Sequence, residues 1–277
     1  MAALIFGLGA ALAYGAADFM GGIASKRAGA VNVVLITQLL GTSVIVMMLP
    51  FFPYSGSVGP AIGWGAAAGV GGGAGVLLLY RGLARGRMSV VAPITGVEAA
   101  GVPVVFGLAI GERPGVGALI GVGLALIAVA LVSTTRTEEA VPGRSGVPEA
   151  IGAGIGFGVF FICLAQAGDS AGLWPLIGAR ASSLVVAGSA AIVSRVRPST
   201  HGAGREIAVA SLLDVAANVF YLIGVKVGLL SLVAVLTSLY PAGTVALARI
   251  FLKERLGRIQ VVGVGVAAAA VILIGIG

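Results

Sequence analysis

The sequence predicts an all-α membrane protein, ten transmembrane helices arranged as two inverted five-helix repeats. Three observations predict it. The 277 residues are 58% hydrophobic and 10% charged, with a mean hydropathy of +1.11, whereas soluble domains carry about 25% charged residues. Apolar stretches of about 20 residues, the length a helix needs to cross the hydrocarbon core, recur ten times. Finally, the chain overlies itself when shifted by 142 residues. Ser89, Ala92, Thr95, Ala100, Gly101, Glu112, Arg113, Gly115, Gly121 and Gly123 then fall on Ser231, Ala234, Thr237, Ala242, Gly243, Glu254, Arg255, Gly257, Gly263 and Gly265. At an offset of 143, Tyr14-Gly15 falls on Phe157-Gly158 and Ala28-Gly29 on Ala171-Gly172. Two copies that each cross a membrane an odd number of times are inserted upside down relative to one another.

The spans follow in order. Residues 3–24 form the first and end at Ser25-Lys26-Arg27; residues 31–49 form the second and end in the proline-bounded stretch Pro50 to Pro60. The third, 60–80, stops before Arg85-Gly86-Arg87, and the fourth, 88–110, stops at Gly111-Glu112-Arg113-Pro114. The fifth covers 115–133 and completes a first repeat of residues 1–133. A polar stretch, 134–147, with Pro142, Gly143 and Gly146, reads as a linker. The second repeat, 148–277, holds spans at 148–168, 172–193, 206–225, 230–252 and 257–276, punctuated by Arg195-Val196-Arg197-Pro198 and Lys253-Glu254-Arg255. Connections this short leave no room for a soluble domain.

The N-terminus lacks the basic start of a signal peptide and leads straight into further spans, so the first helix is expected to stay. Cys163 is the single cysteine, which excludes an internal disulfide and a thiolate cluster. Glycines at helical spacing, Gly65, Gly69 and Gly73 in the third span and Gly152, Gly156 and Gly158 in the sixth, read as close-packing positions between helices rather than phosphate loops, which need a preceding strand.

Loop charge is lopsided. Odd-numbered connections carry Lys26, Arg27, Arg81, Arg85, Arg87, Arg136, Arg144, Arg195, Arg197, Arg205, Lys253, Arg255 and Arg258; even ones carry Arg113 and Lys226, thirteen against two. The positive-inside rule places the odd connections in the cytoplasm and both termini outside. The net charge of +7 is thereby a matter of membrane orientation, and a nucleic-acid partner has no basic domain to bind.

Ser231-Leu232-Val233-Ala234-Val235-Leu236-Thr237-Ser238-Leu239-Tyr240-Pro241, followed by Leu252-Lys253-Glu254-Arg255-Leu256 and Gln260-Val261-Val262-Gly263, resembles the EamA-type repeat of the drug/metabolite transporter superfamily, with an echo at Ser89 to Gly101 and Gly111-Glu112-Arg113. The resemblance covers the whole chain. It implies a carrier working by alternating access in the cell membrane, and leaves the cargo open because the superfamily moves amino acids, drugs, sugars and nucleotide sugars. The ten-span members are usually drawn with cytoplasmic termini, opposite to the charge count here.

Ionisable residues at mid-span cost about 2.5 to 3.5 kcal/mol on insertion scales, so they mark cavities or pair with one another. Glu98 lies near the middle of the fourth span, opposite Tyr240 in the repeat. In a half-dry cavity its carboxyl would exchange protons near neutral pH and couple them to transport; the alternative is a structural carboxyl. Asp18 lies among Tyr14, Phe19, Gly21 and Gly22, with Gln38 of the second span able to face the same space, and is a second candidate for binding an amine or a proton; a snorkelling helix-end acid is the bland reading. Arg180 and Asp214, with Asn218 one turn on, read either as a structural ion pair or as a clamp on a substrate carboxylate. The expected substrate-binding set is therefore Tyr14, Asp18, Gln38, Glu98, Arg180, Asp214, Asn218 and Tyr240, with Glu98 and Asp18 coupling protons. Pro93, Pro103 and Pro241 are candidate hinges. Trp64 and Trp174 read as interface anchors, and His201 as incidental.

No metal site, cofactor or catalytic set is expected, because one His and one Cys offer little beyond carboxylates. The expected function is secondary active transport of a small amino-acid-like, amine-bearing or drug-like solute, by proton-coupled export or exchange. The alternatives are movement of an amphipathic lipid or lipid-linked precursor and a non-transporting accessory subunit.

Overall fold

The computed structural model describes residues 1–52, 54–85, 88–132, 146–167, 171–244, 247 and 257–276. The linker 134–145, Arg87, Arg249 and Lys253-Glu254-Arg255 lie outside them. Among the described residues there is no strand, and the first half comprises α1 (Ala2–Ala28), α2 (Ala30–Met48), α3 (Val58–Arg85), α4 (Met88–Ala109) and α5 (Val116–Val132). After them come α6 (Val147–Ala165), α7 (Trp174–Val193), α8 (Gly204–Val227), α9 (Leu230–Thr237) and α10 (Arg258–Ile276).

Among the described residues, six helices are long and apolar enough to cross a membrane: Ala2–Ala28, Ala30–Phe51, Val58–Ala84, Val147–Ala165, Trp174–Val193 and Gly204–Val227. Four apolar helices, Ile94–Ala109, Val116–Leu131, Leu230–Thr244 and Val261–Ile274, are shorter. Outward faces of both long and short helices are apolar: Leu12 of α1, Val105 of α4, Val116 of α5 and Val185 of α7 are all more than two-thirds exposed, a surface suited to lipid.

Helix α3 packs on α6 and α7, α1 on α8, α5 on α10, α4 on α6 and α9, and α2 on α7 and α8. Small residues make this possible. A Cβ at Gly65 would lie 2.0 Å from the Pro175 carbonyl oxygen, and one at Gly69 2.0 Å from that of Ala179, so α3 and α7 touch backbone to backbone. Ser182 and Ser183 of α7 add hydroxyl donors to the Ala66 and Gly69 carbonyls at 2.7 and 2.8 Å. Gly71 and Gly156 bring α3 and α6 together in the same manner. The only connection between α1 and α2 is Gly29, whose φ of 79° belongs to the left-handed region that glycine enters freely.

The ninth span differs from expectation. Instead of one helix over 230–252, α9 ends at Thr237, a turn follows at Ser238 and Leu239, and helical structure resumes over 240–244. Leu239 N–H turns to the Leu236 carbonyl at 3.2 Å, a tightened i−3 bond. Pro241 has no N–H for the Thr237 carbonyl, and on its far side Ala242 N–H also bonds at i−3, to the Leu239 carbonyl at 3.0 Å. Pro93 and Pro103, by contrast, sit within an unbroken α4. Glu112 fastens the start of α9: its two carboxylate oxygens accept the N–H groups of Leu230 and Ser231 at 2.7 and 3.0 Å, offsetting the partial positive charge of a helix N-terminus.

Candidate functional site

Tyr14, Asp18, Gln38, Arg180, Asp214, Asn218 and Tyr240 line one cavity at mid-height in the bundle. Helices α1, α2, α3, α6, α7 and α8 and the segment after α9 contribute to it. About 60 Å³ is open to the centre of a water molecule, room for several waters at about 10–15 Å³ each.

The charged groups are arranged unequally. Arg180, only 6% exposed, donates through one terminal nitrogen to the Asp214 carboxylate and through the other to the Gln38 side-chain oxygen. Its guanidinium lies against α2 at Gly41, where a Cβ would approach Cζ to 3.2 Å. Asn218 donates to the Asp214 backbone carbonyl at 2.6 Å. Asp18 is 8% exposed, lines the cavity, and has no hydrogen-bond or ion-pair partner among the described residues.

The remaining wall is aromatic. Phe157, Phe160 and Phe161 of α6 all reach the cavity. The Phe161 ring lies 6.2 Å from Tyr14, 5.7 Å from Phe160 and 4.5 Å from Tyr221. Tyr221 donates its hydroxyl to the Phe161 carbonyl at 3.0 Å and so holds that turn of α6 in place. The i, i+3, i+4 spacing of the three phenylalanines was the available signal for one aromatic face.

Glu98 is the exception among the expected residues. It is half-buried on α4, with its Cβ directed at α6 over Gly154, where a glycine Cβ would meet it at 2.4 Å, and it is not among the residues lining the cavity. The close approach of α4 to α6 turns that face of the helix away from the centre.

The wall is also built from repeat-related positions. At offsets of 142 or 143, Tyr14 corresponds to Phe157, Asp18 to Phe161, Gln38 to Arg180, Gly72 to Asp214 and Val76 to Asn218, and every one of these lines the cavity. Gln38 and Arg180, 142 residues apart, touch each other.

The EamA-like transporter family model matches residues 1–134 and again 144–276. The chain belongs to the EamA-like transporter family. This member is therefore a multi-pass membrane transporter of small solutes and not an enzyme. A solved structure titled "Crystal structure of protein" shares its fold, with a TM-score of 0.72 at 17% identity, over 98% of this chain and 95% of that one. No curated protein matches it. Among the described residues no group of His, Cys, Asp and Glu is placed to hold a metal ion.

Proposed function

We propose that this EamA-like protein is a ten-span, inverted-repeat carrier that moves a small organic amine by alternating access, exchanging it for protons on Asp18. The single observation that carries the cargo class is the division of charge in the cavity. Arg180 is held by Asp214 and Gln38 and so is not free to clamp a substrate carboxylate, while Asp18 is left facing Tyr14 and the phenylalanines of α6. An unpaired carboxylate beside aromatic faces attracts an ammonium group by charge and by cation–π contact. This narrows the sequence expectation from amino-acid-like, amine-bearing or drug-like solutes to amines, and of the two expected proton carriers, Glu98 and Asp18, keeps Asp18.

The inverted-repeat reading is supported by the packing pairs. Exchanging each helix for the one five later turns α1 on α8 into α6 on α3, α3 on α7 into α8 on α2, and returns α4 on α9 and α5 on α10 to themselves. Alternating access is supported by the size of the cavity, which at about 60 Å³ lies far below the roughly 300 Å³ or more of ligand sites; the helices must part to admit a solute. The interrupted α9 is the element suited to bending. Loop charge supports cytoplasmic odd-numbered connections, and a C-terminal reporter active only in the cytoplasm should stay silent.

The test uses protein reconstituted in liposomes containing a pH dye, presented with amines, amino acids, carboxylates, nucleosides and sugars. Amines should drive proton movement, and Asp18→Asn should abolish it while Glu98→Gln retains it. A response confined to carboxylates, or amine-driven proton movement surviving Asp18→Asn, overturns the reading.

A further inference from the structure

A second cavity lies at the end of the bundle where α1 and α3 finish and α2 begins. It is lined by Ser25 and Ala28 of α1, Gly29, the first residues of α2, Arg81 and Ala84 of α3, and Ser194 and Val196 after α7. About 350 Å³ is open to the centre of a water molecule, which is within the range of small-ligand sites and well above that of the central cavity. It shares no lining residue with that cavity.

Three kinds of donor meet there. The first backbone bond of α2 is made by Val33, to the Gly29 carbonyl at 3.2 Å. The N–H groups of Ala30, Val31 and Asn32 therefore have no backbone acceptor among the described residues, and the N-cap is Gly29, which has no side chain to cap them. Free amides at the start of a 19-residue helix present partial positive charge to an anion. Arg81 is half-buried at the same wall and makes no ion pair or hydrogen bond among the described residues. Ser25 is 3% exposed, and its hydroxyl has no hydrogen-bond partner among the described residues. A buried hydroxyl without a partner is costly, and in this position it is a donor awaiting an acceptor.

The frame around these donors is fixed. Asn32 donates its side-chain amide to the Ala28 carbonyl at 2.9 Å and accepts the Ser199 N–H at 3.2 Å, tying the turn between α1 and α2 to the segment before α8. Arg27 is held by Glu206 at 3.1 Å, so that acid is already paired; Glu149 of α6, against Gly82 of α3 beside Arg81, is not without a partner either. Exposed Lys26, Arg195, Arg197 and Arg205 add positive charge nearby in the chain.

We infer that this cavity binds a phosphate-class oxyanion, with Arg81, the Ser25 hydroxyl and the α2 N-terminal amides as donors. A phosphate group has several acceptor oxygens and one or two negative charges, which matches a guanidinium, a hydroxyl and a set of free N–H groups together. The same chemistry is carried by an anionic phospholipid headgroup and by free phosphate.

Thermal unfolding of delipidated protein in detergent distinguishes them. One arm adds inorganic phosphate against chloride at matched ionic strength; the other adds phosphatidylglycerol against phosphatidylcholine in mixed micelles. The midpoint of the wild-type protein rises with phosphate if the ligand is the free anion, and with phosphatidylglycerol alone if it is a headgroup. Arg81→Gln weakens whichever response is seen by at least about tenfold in the concentration required. Ser25→Ala and Ala30→Pro, the latter removing one amide at a helix position that tolerates proline, leave Arg81 in place and each weaken it by a smaller factor, so the result does not depend on Arg81→Gln folding. No response to either probe, or the same response in wild type and all three variants, overturns the inference.

Discussion

Asp214 and Asp18 line the same cavity, yet their surroundings differ in kind. Asp214 is joined to Arg180, which also holds Gln38 and lies over Gly41, so helices α2, α7 and α8 are tied through one guanidinium. Asp18 lines the same cavity with no hydrogen-bond or ion-pair partner among the described residues. A carboxylate whose oxygens are engaged by the protein contributes to architecture, whereas one left without a partner is available to a ligand. Glu112 marks the architectural extreme, with both oxygens given to the first N–H groups of α9.

The largest expected effect comes from breaking the engaged pair. Arg180→Met should lower unfolding stability in detergent by about 3 kcal/mol, the low end for breaking a buried pair, because Asp214 loses its counter-charge while its side chain stays 29% exposed. Adding Asp214→Asn should recover a substantial part of the loss, and a double-mutant cycle read by thermal or denaturant unfolding measures how much. Additive losses would show that the two groups act independently.

Removing the Glu112 carboxylate comes next. Glu112→Ala takes an ionised acceptor from two amides, each bond being worth about 1.5–3 kcal/mol when charged. A loss of about 2 kcal/mol is expected, since the site is partly exposed, together with faster backbone hydrogen exchange at Leu230 and Ser231. Unchanged exchange there would count against the cap.

The smallest expected stability change is at Asp18. Asp18→Asn should shift unfolding by less than about 1 kcal/mol while abolishing amine-driven proton movement. A large stability loss would place Asp18 with Asp214 among the architectural acids and erase the contrast. Gly41→Ala sharpens it from the other side: a Cβ 3.2 Å from the Arg180 Cζ pushes on the guanidinium, and a modest loss of about 1 kcal/mol is expected, accompanied by altered amine affinity only if Arg180 helps shape the cavity.

Much of this was legible in the linear chain because the bilayer imposes simple rules. Apolar length located the helices within a few residues: 31–49 against Ala30–Met48, 115–133 against Val116–Val132, 172–193 against Trp174–Val193. A buried charge is expensive in hydrocarbon, so Asp18, Arg180 and Asp214 stood out, and all three line one space. Glu98 met the same criterion and lies elsewhere, because depth along a helix is readable from sequence while the direction of a face depends on the neighbour it packs against. In α4 that neighbour is α6, whose Gly154 admits the Glu98 side chain.

The sequence by itself determined the class of solvent the chain lives in, the helix content, the duplication and the membership of the EamA-like transporter family, since each depends on composition, span length or self-similarity. The tertiary structure decided which acid is paired, that α9 breaks at Ser238 and Leu239, that the phenylalanines of α6 complete the cavity, and that repeat-related Gln38 and Arg180 meet in its wall. Those outcomes depend on rotation of each helix about its own axis, which in a chain apolar on nearly every face leaves only a faint imprint on the sequence and is set by close contact between small residues on neighbouring helices.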